Sequence, residues 1–220
     1  MNKRIWAILL FLGCYIGSAV AMQQDDSVQH VHKLEIGKRK REVFSVHNRD
    51  SVLVLNIDTL IMKNKASLSF YGNKKVTLNV KHAEIPDIAY IMGTDSKNNG
   101  SDMQIDIRFE QLGALYVLAG GQDANNGTRT FPNGDGGNVV LRYNKSGITP
   151  QQEDKDKPNY LRIDTKAGGY RVNPQSDLYN VYSQIRMGIR SGNGRLGGVP
   201  QGQIYSGSPG KDGKSEVIGY

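Results

Sequence analysis

Ala114-Leu115-Tyr116-Val117-Leu118-Ala119-Gly120-Gly121 is the stretch that decides how this 220-residue chain is read. Side chains along a β-strand alternate between faces, so Leu115, Val117 and Ala119 share one face while Tyr116 and Leu118 share the other. Both faces are apolar. A strand with one wet face alternates apolar with polar residues, whereas a strand covered on both sides reads as a continuous apolar run. The run stops at Gly120-Gly121, a pair that cannot extend a packed surface.

Working outward from this segment, short runs with period-two alternation recur from Asp50 onward, bounded by Gly, Asn, Asp or Lys. They cover 52–57, 67–71, 76–81, 88–92, 103–109, 114–119, 138–143 and 160–164. In the third, Val76, Leu78 and Val80 point one way and Thr77, Asn79 and Lys81 the other. Of the 26 glycines, 22 follow Met92, and they gather beside strands as Gly120-Gly121, Gly134-Asp135-Gly136-Gly137 and Gly168-Gly169. Such clusters are expected to supply the positive-φ corners of tight turns. Short strands separated by Gly/Asn corners predict a mainly β fold: a single Gly-rich β-solenoid like a parallel β-helix, with a β-sandwich as the alternative. The chain resembles bacterial parallel β-helices in architecture alone, because no repeat keeps a fixed period.

Two stretches break the β pattern. Residues 149–159 form a polar, mixed-charge loop. Beyond them, Ser176 can cap one short helix near 177–187, in which Leu178, Val181, Tyr182 and Ile185 fall at i, i+3, i+4 and i+7 before Gly188. The tail 188–220 holds ten glycines and is expected to be irregular or packed back on the β body. In it, Gly207, Gly210 and Gly213 keep a period of three, too briefly for a collagen helix. The terminal Val217-Ile218-Gly219-Tyr220 suggests an outer-membrane barrel, but the predicted strands are too short and irregular for one.

The first residues carry a different message. Lys3 and Arg4 precede the apolar run 5–16, which is shorter than the roughly 20 residues of a membrane span. Ala19-Val20-Ala21 follows as an A-x-A site. These features predict a cleavable signal peptide over 1–21, processed at Ala19 and Ala21, then a β-rich domain over 22–187 and the Gly-rich tail. Lipidation at Cys14, in Leu12-Gly13-Cys14, is the alternative. Cleavage after Ala21 removes the only cysteine, so the exported chain has no disulfide and no thiolate chemistry. No transmembrane segment is expected after that cleavage. The destination is the periplasm, the outer membrane, the cell surface or the medium.

The net charge of +7 includes Lys3 and Arg4. The remaining excess suits anionic envelope polymers but lacks the concentrated stripe that a nucleic-acid groove needs. The densest run, Lys38-Arg39-Lys40-Arg41, reads as a solvated hairpin tip, with a processing site or a polyanion contact as alternatives.

Motifs for chemistry are sparse. His30 and His32, two apart in a strand, put both imidazoles on one face as zinc requires, although the sequence fixes no third ligand. Asp123 and Asp135 sit in Gly-rich loops that partly resemble calcium loops. Ordinary turn chemistry and surface histidines account for all four, so no metal or other cofactor is expected. A glycan-cleaving site needs two facing carboxylates, for which Asp106 and Asp164 are the candidates. Arg108, Arg142 and Arg162, together with Tyr116 and Tyr143, are the candidate binding residues, since tyrosine stacks on sugars and packs at interfaces. No nucleophile elbow, His-Glu-x-x-His or phosphate loop occurs. The resulting expectation is an exported, non-catalytic envelope or surface protein that binds a glycan or a protein partner. The alternative is a carbohydrate-active enzyme on a β-helix scaffold using exposed carboxylates.

Overall fold

Among the described residues, alternation along the chain becomes nine strands, and every paired strand runs parallel to its neighbour. The structure is a computed structural model describing residues 28–45, 52–123, 132–169 and 209–220. The signal segment with Ala19 and Ala21, Cys14, and the helix expected at 177–187 lie outside the described residues. The strands are β1 (Val28–Ile36), β2 (Arg41–Ser45), β3 (Val52–Met62), β4 (Ala66–Tyr71), β5 (Lys75–Thr94), β6 (Asp102–Leu118), β7 (Val139–Tyr143), β8 (Tyr160–Asp164) and β9 (Ser215–Gly219).

Two ladders result. The first stacks β1, β3, the beginning of β5, the beginning of β6, β7 and β9. The second stacks β2, β4, the end of β5, the end of β6 and β8. The chain visits one ladder, turns a corner, visits the other and returns one step along, which makes a mainly β parallel solenoid. The sandwich alternative requires antiparallel sheets, and the ladders are parallel. Among the described residues there is no helix.

Because the side-chain period is two, the registers turn each inward residue into a row. Leu55, Leu78, Ile105 and Leu141 stack in register and are completely buried, beside Leu53, Val76, Met103 and Val139. In the second ladder Leu68, Ile91 and Val117 form another buried row. Each such side chain contributes about 1.5–3 kcal/mol on burial. The parallel pairing also explains the run at 114–119. Leu115 and Val117 enter the core, while Tyr116 and Leu118 are half-buried on the outside.

Corners differ from expectation in two ways. Lys38-Arg39-Lys40-Arg41 is not a hairpin tip: β1 and β2 do not pair with each other but continue into different ladders. Arg39 takes a positive φ of 56° there, and its N–H donates to the Asn64 carbonyl at 2.9 Å in the coil beyond. In the next two coils the predicted strand pairs 76–81 with 88–92 and 103–109 with 114–119 fuse into single bent strands, β5 and β6. Register shifts between Val80 and Ile88 carry the bend. Gly113 fits this bend because a Cβ on it would lie 2.5 Å from the Pro86 carbonyl oxygen.

The third side of the solenoid is a bundle of extended, glycine-rich segments. The segment 133–138 hydrogen-bonds to four others, near Gly100, Gln122, Gly168 and Lys211. A strand in a sheet has only two neighbours, so this is a bundle and not a ladder. Gly134 donates to the Gln122 carbonyl at 2.9 Å, Gly168 to Gly134 at 2.9 Å and Gly210 to Gly168 at 3.1 Å. Gly134 and Gly137, like Gly210 and Gly213, are three residues apart, the repeat of a polyproline II helix, whose N–H groups point away from its own axis. Of these clusters, the expected positive-φ role holds at Gly169 and is corrected at the others. Among the described residues only Gly72 and Gly169 are glycines with positive φ. Close approach is the requirement: a Cβ on Gly100 or Gly134 would stand 1.8 Å from a neighbouring carbonyl oxygen.

Candidate functional sites on the two ladder faces

On the outer face of the first ladder, His30, Asn56, Asn79, Asp106, Arg142 and Ile218 occupy one row in register. Asn79 donates its side-chain N–H to the Asn56 side-chain oxygen at 2.8 Å. Farther along, Tyr220 donates its hydroxyl to Asp106 Oδ1 at 2.5 Å, and the Arg142 guanidinium lies 5.1 Å from the centre of the Tyr220 ring. Arg108 pairs with Glu110 at 3.2 Å, and the His82 ring meets the same carboxylate oxygen at 2.8 Å. A groove of about 320 Å³ runs past Lys81, His82, Asp106, Arg108 and Tyr220. The hydrogen bond from His82 and then the charge of Arg108 hold the Glu110 carboxyl below its ordinary value. The Asp106 carboxylate, as acceptor, pushes the Tyr220 phenol up, and partial burial adds to this.

Nearer the first coil, His30 and His32 project from β1 beside Asp58 of β3, whose carboxylate Lys81 also contacts at 2.7 Å. Lys81 first, then His32, hold the Asp58 carboxyl at about 2.

The second ladder presents a different row: Arg41, Ser67, Tyr90, Tyr116 and Arg162, again in register. Parallel stacking places the Tyr90 and Tyr116 rings face to face, with centres 5.5 Å apart and planes inclined by 27°. Tyr160 meets Tyr116 edge-on at 5.8 Å. Tyr90 and Tyr116 are half-buried, and Arg162 is exposed at the end of their row.

The residues singled out in the sequence thus separate. Asp106, Arg108 and Arg142 share the first ladder face, and Tyr116 and Arg162 share the second. Asp164 follows Arg162 in β8, so it stands on the other ladder from Asp106, and the two carboxylates do not face each other across one groove. Tyr143 lies in the inward register of Ile57, Val80 and Ile107 and packs against the core. The loop carboxylates serve the backbone of the bundle. Asp135 Oδ1 accepts the Lys211 N–H at 2.7 Å and Asp123 Oδ1 accepts the Gly169 N–H at 2.6 Å.

A wider cavity of about 800 Å³ lies on the bundle side, lined by Asp123, Asp164, Lys166 and Asp212 among glycines. Its carboxylates also accept backbone N–H groups, Asp164 from Lys166 and Asp212 from Ala167. Glu110 reads from the sequence as a carboxylate on an exposed strand face beside Arg108, whereas Tyr90, Tyr160, Asp58 and Tyr220 were not signalled by any motif, since each acquires its partner only through the register. No family model, curated protein or solved structure matches the chain.

Proposed function

We propose that this protein is an exported, non-catalytic β-solenoid of the cell envelope or surface that binds a glycan chain on its second ladder face. The observation that carries the reading is the Tyr90–Tyr116 stack, continued in register by Arg162. The stacked rings offer their apolar edges to a sugar's C–H groups, and the phenols and guanidinium supply donors for its hydroxyl or carboxylate oxygens. Residues spaced by the solenoid rise of about 4.8 Å offer such contacts along a line, which suits an extended polymer better than a single sugar. Export rests on Lys3, Arg4, the apolar run and Ala19-Val20-Ala21. The alternative, a carbohydrate-active enzyme using Asp106 and Asp164, is disfavoured by their positions on separate ladders.

Co-sedimentation of the purified protein with envelope polysaccharide, alongside a glycan array, tests the proposal. Retention on glycan is expected, and the double variant Tyr90→Ala/Tyr116→Ala should weaken it roughly tenfold or more. Lack of retention on every glycan, or equal retention by the double variant, refutes it.

A further inference from the structure

We propose that His30, His32 and Asp58 bind a divalent transition-metal ion of the zinc class on the outer face of the first two coils. The parallel register of β1 on β3 pairs Val31 with Ile57 and Lys33 with Thr59, so residue 32 is level with Asp58. Alternation along β1 turns His30 to the same side. The candidate ligand atoms of the three residues all lie within 4.8 Å of one another. His32 Nδ1 is 2.8 Å from Asp58 Oδ2 and His30 Nε2 is 3.6 Å from Asp58 Oδ1. The two imidazoles are inclined by 77° with centres 5.1 Å apart, so they converge edge to face and are not stacked.

The His32 ring N–H and the Lys81 ammonium already occupy the place that an ion would take. Asp58 is ionised, so the contact with His32 requires a proton on Nδ1, and the Lys81 ammonium sits 2.7 Å from Asp58 Oδ1. A dication replaces both: it takes the Nδ1 lone pair that His32 offers in its other neutral tautomer, and Lys81, whose side chain is 70% exposed, can swing into solvent. Two imidazoles and one carboxylate form a borderline nitrogen/oxygen set that suits Zn²⁺, Cu²⁺ or Ni²⁺ and not the all-oxygen preference of Ca²⁺ or Mg²⁺. Three protein ligands leave a coordination position for water or for a group from another molecule. The His32 side chain is 89% exposed, so an ion reaches the site without any opening of the fold.

The test is calorimetric titration of the tag-free protein with Zn²⁺ alone, paired with visible spectroscopy after Co²⁺ addition. One ion per chain is expected, with a cobalt band of low-symmetry coordination. His30→Ala and His32→Ala should each weaken binding about tenfold or more, and Asp58→Asn should do the same. Lys81→Met should tighten binding, because it removes the competing ammonium while leaving all three ligands. Far-UV circular dichroism should be unchanged in the histidine variants, since both side chains are exposed. Absence of heat and of a cobalt band at submillimolar metal overturns the proposal. So does binding that survives unchanged in the His30→Ala/His32→Ala double variant.

Discussion

Asp106 shows how a single carboxylate is committed by its neighbours. It accepts the Tyr220 hydroxyl, lies 4.0 Å from the Arg142 side chain and occupies the row of Asn79. Tyr220 is neutral below its pKa, and the hydrogen bond it donates exists only in that form. Its folded pKa is raised above 10.0, so the stabilisation is fully present below the unfolded pKa and is lost as pH rises through the folded one. In Tyr220→Phe the alkaline phenolate titration, followed by absorbance, should lose its highest-pH component, and the alkaline loss of stability linked to it should vanish. At neutral pH the variant should cost under about 1 kcal/mol, because the ring is half exposed. Legibility at this scale was mixed. Asp106, Arg108 and Arg142 could be singled out as charged residues on strand faces; Asp106 does meet Arg142, while Arg108 pairs with Glu110. The partnership of His30 and His32 with Asp58 could not be read, because it depends on which residue of β3 lies level with residue 32.

Strands and bundle segments have different tolerances. The inward rows of the ladders accept one apolar residue for another of similar volume, but the bundle leaves no volume at all where its segments touch. Gly134→Ala should therefore destabilise the protein by about 3 kcal/mol or more, because its methyl meets the Asn98 backbone and cannot be relieved by a side-chain rotation. Urea unfolding of the variant beside Gly147→Ala, another close contact, measures the effect. An unchanged midpoint for Gly134→Ala would contradict the bundle packing. At this scale the period-two alternation revealed strand positions well. It failed at 82–87, where His82, Glu84, Pro86 and Asp87 interrupt the alternation but ride a bulged strand around a corner. Glycine content alone did not distinguish a turn from a close approach, since both select the residue without a Cβ.

The whole solenoid explains why no repeat was visible. Successive contacts along it span 23 residues from Asn56 to Asn79, 28 from Asn73 to Ser101, 36 from Asn99 to Asp135 and 76 from Asp135 to Lys211. The rise per coil is constant in space while the chain spent on each coil varies, from 26 residues between Val28 and Val54 and 23 between Val52 and Lys75 to 76 between Val139 and Ser215, so the period is geometric and not sequential. Side chains mark it instead. Asn99 Oδ1 accepts the Asp135 N–H and Asp135 Oδ1 accepts the Lys211 N–H, while Asp102 and Asn138 repeat the same relay to Lys214.

The bundle also bears on chemical ageing. Asn99-Gly100 and Asn133-Gly134 are dipeptides in which the glycine nitrogen readily attacks the asparagine side-chain carbonyl, expelling ammonia and forming a succinimide that water opens to isoaspartate with an extra methylene in the backbone. In the folded protein the Gly100 N–H is held by Asp135 and the Gly134 N–H by Gln122, each at 2.9 Å, and neither backbone can swing to the angle of attack. Peptide mapping by mass spectrometry after incubation at mildly alkaline pH should find both amides intact in native protein and converted in urea-unfolded protein. Conversion at equal rates would mean that these contacts open freely. Every hour spent unfolded then adds length to segments that tolerate none, so the time this chain takes to fold sets how much of it can ever do so.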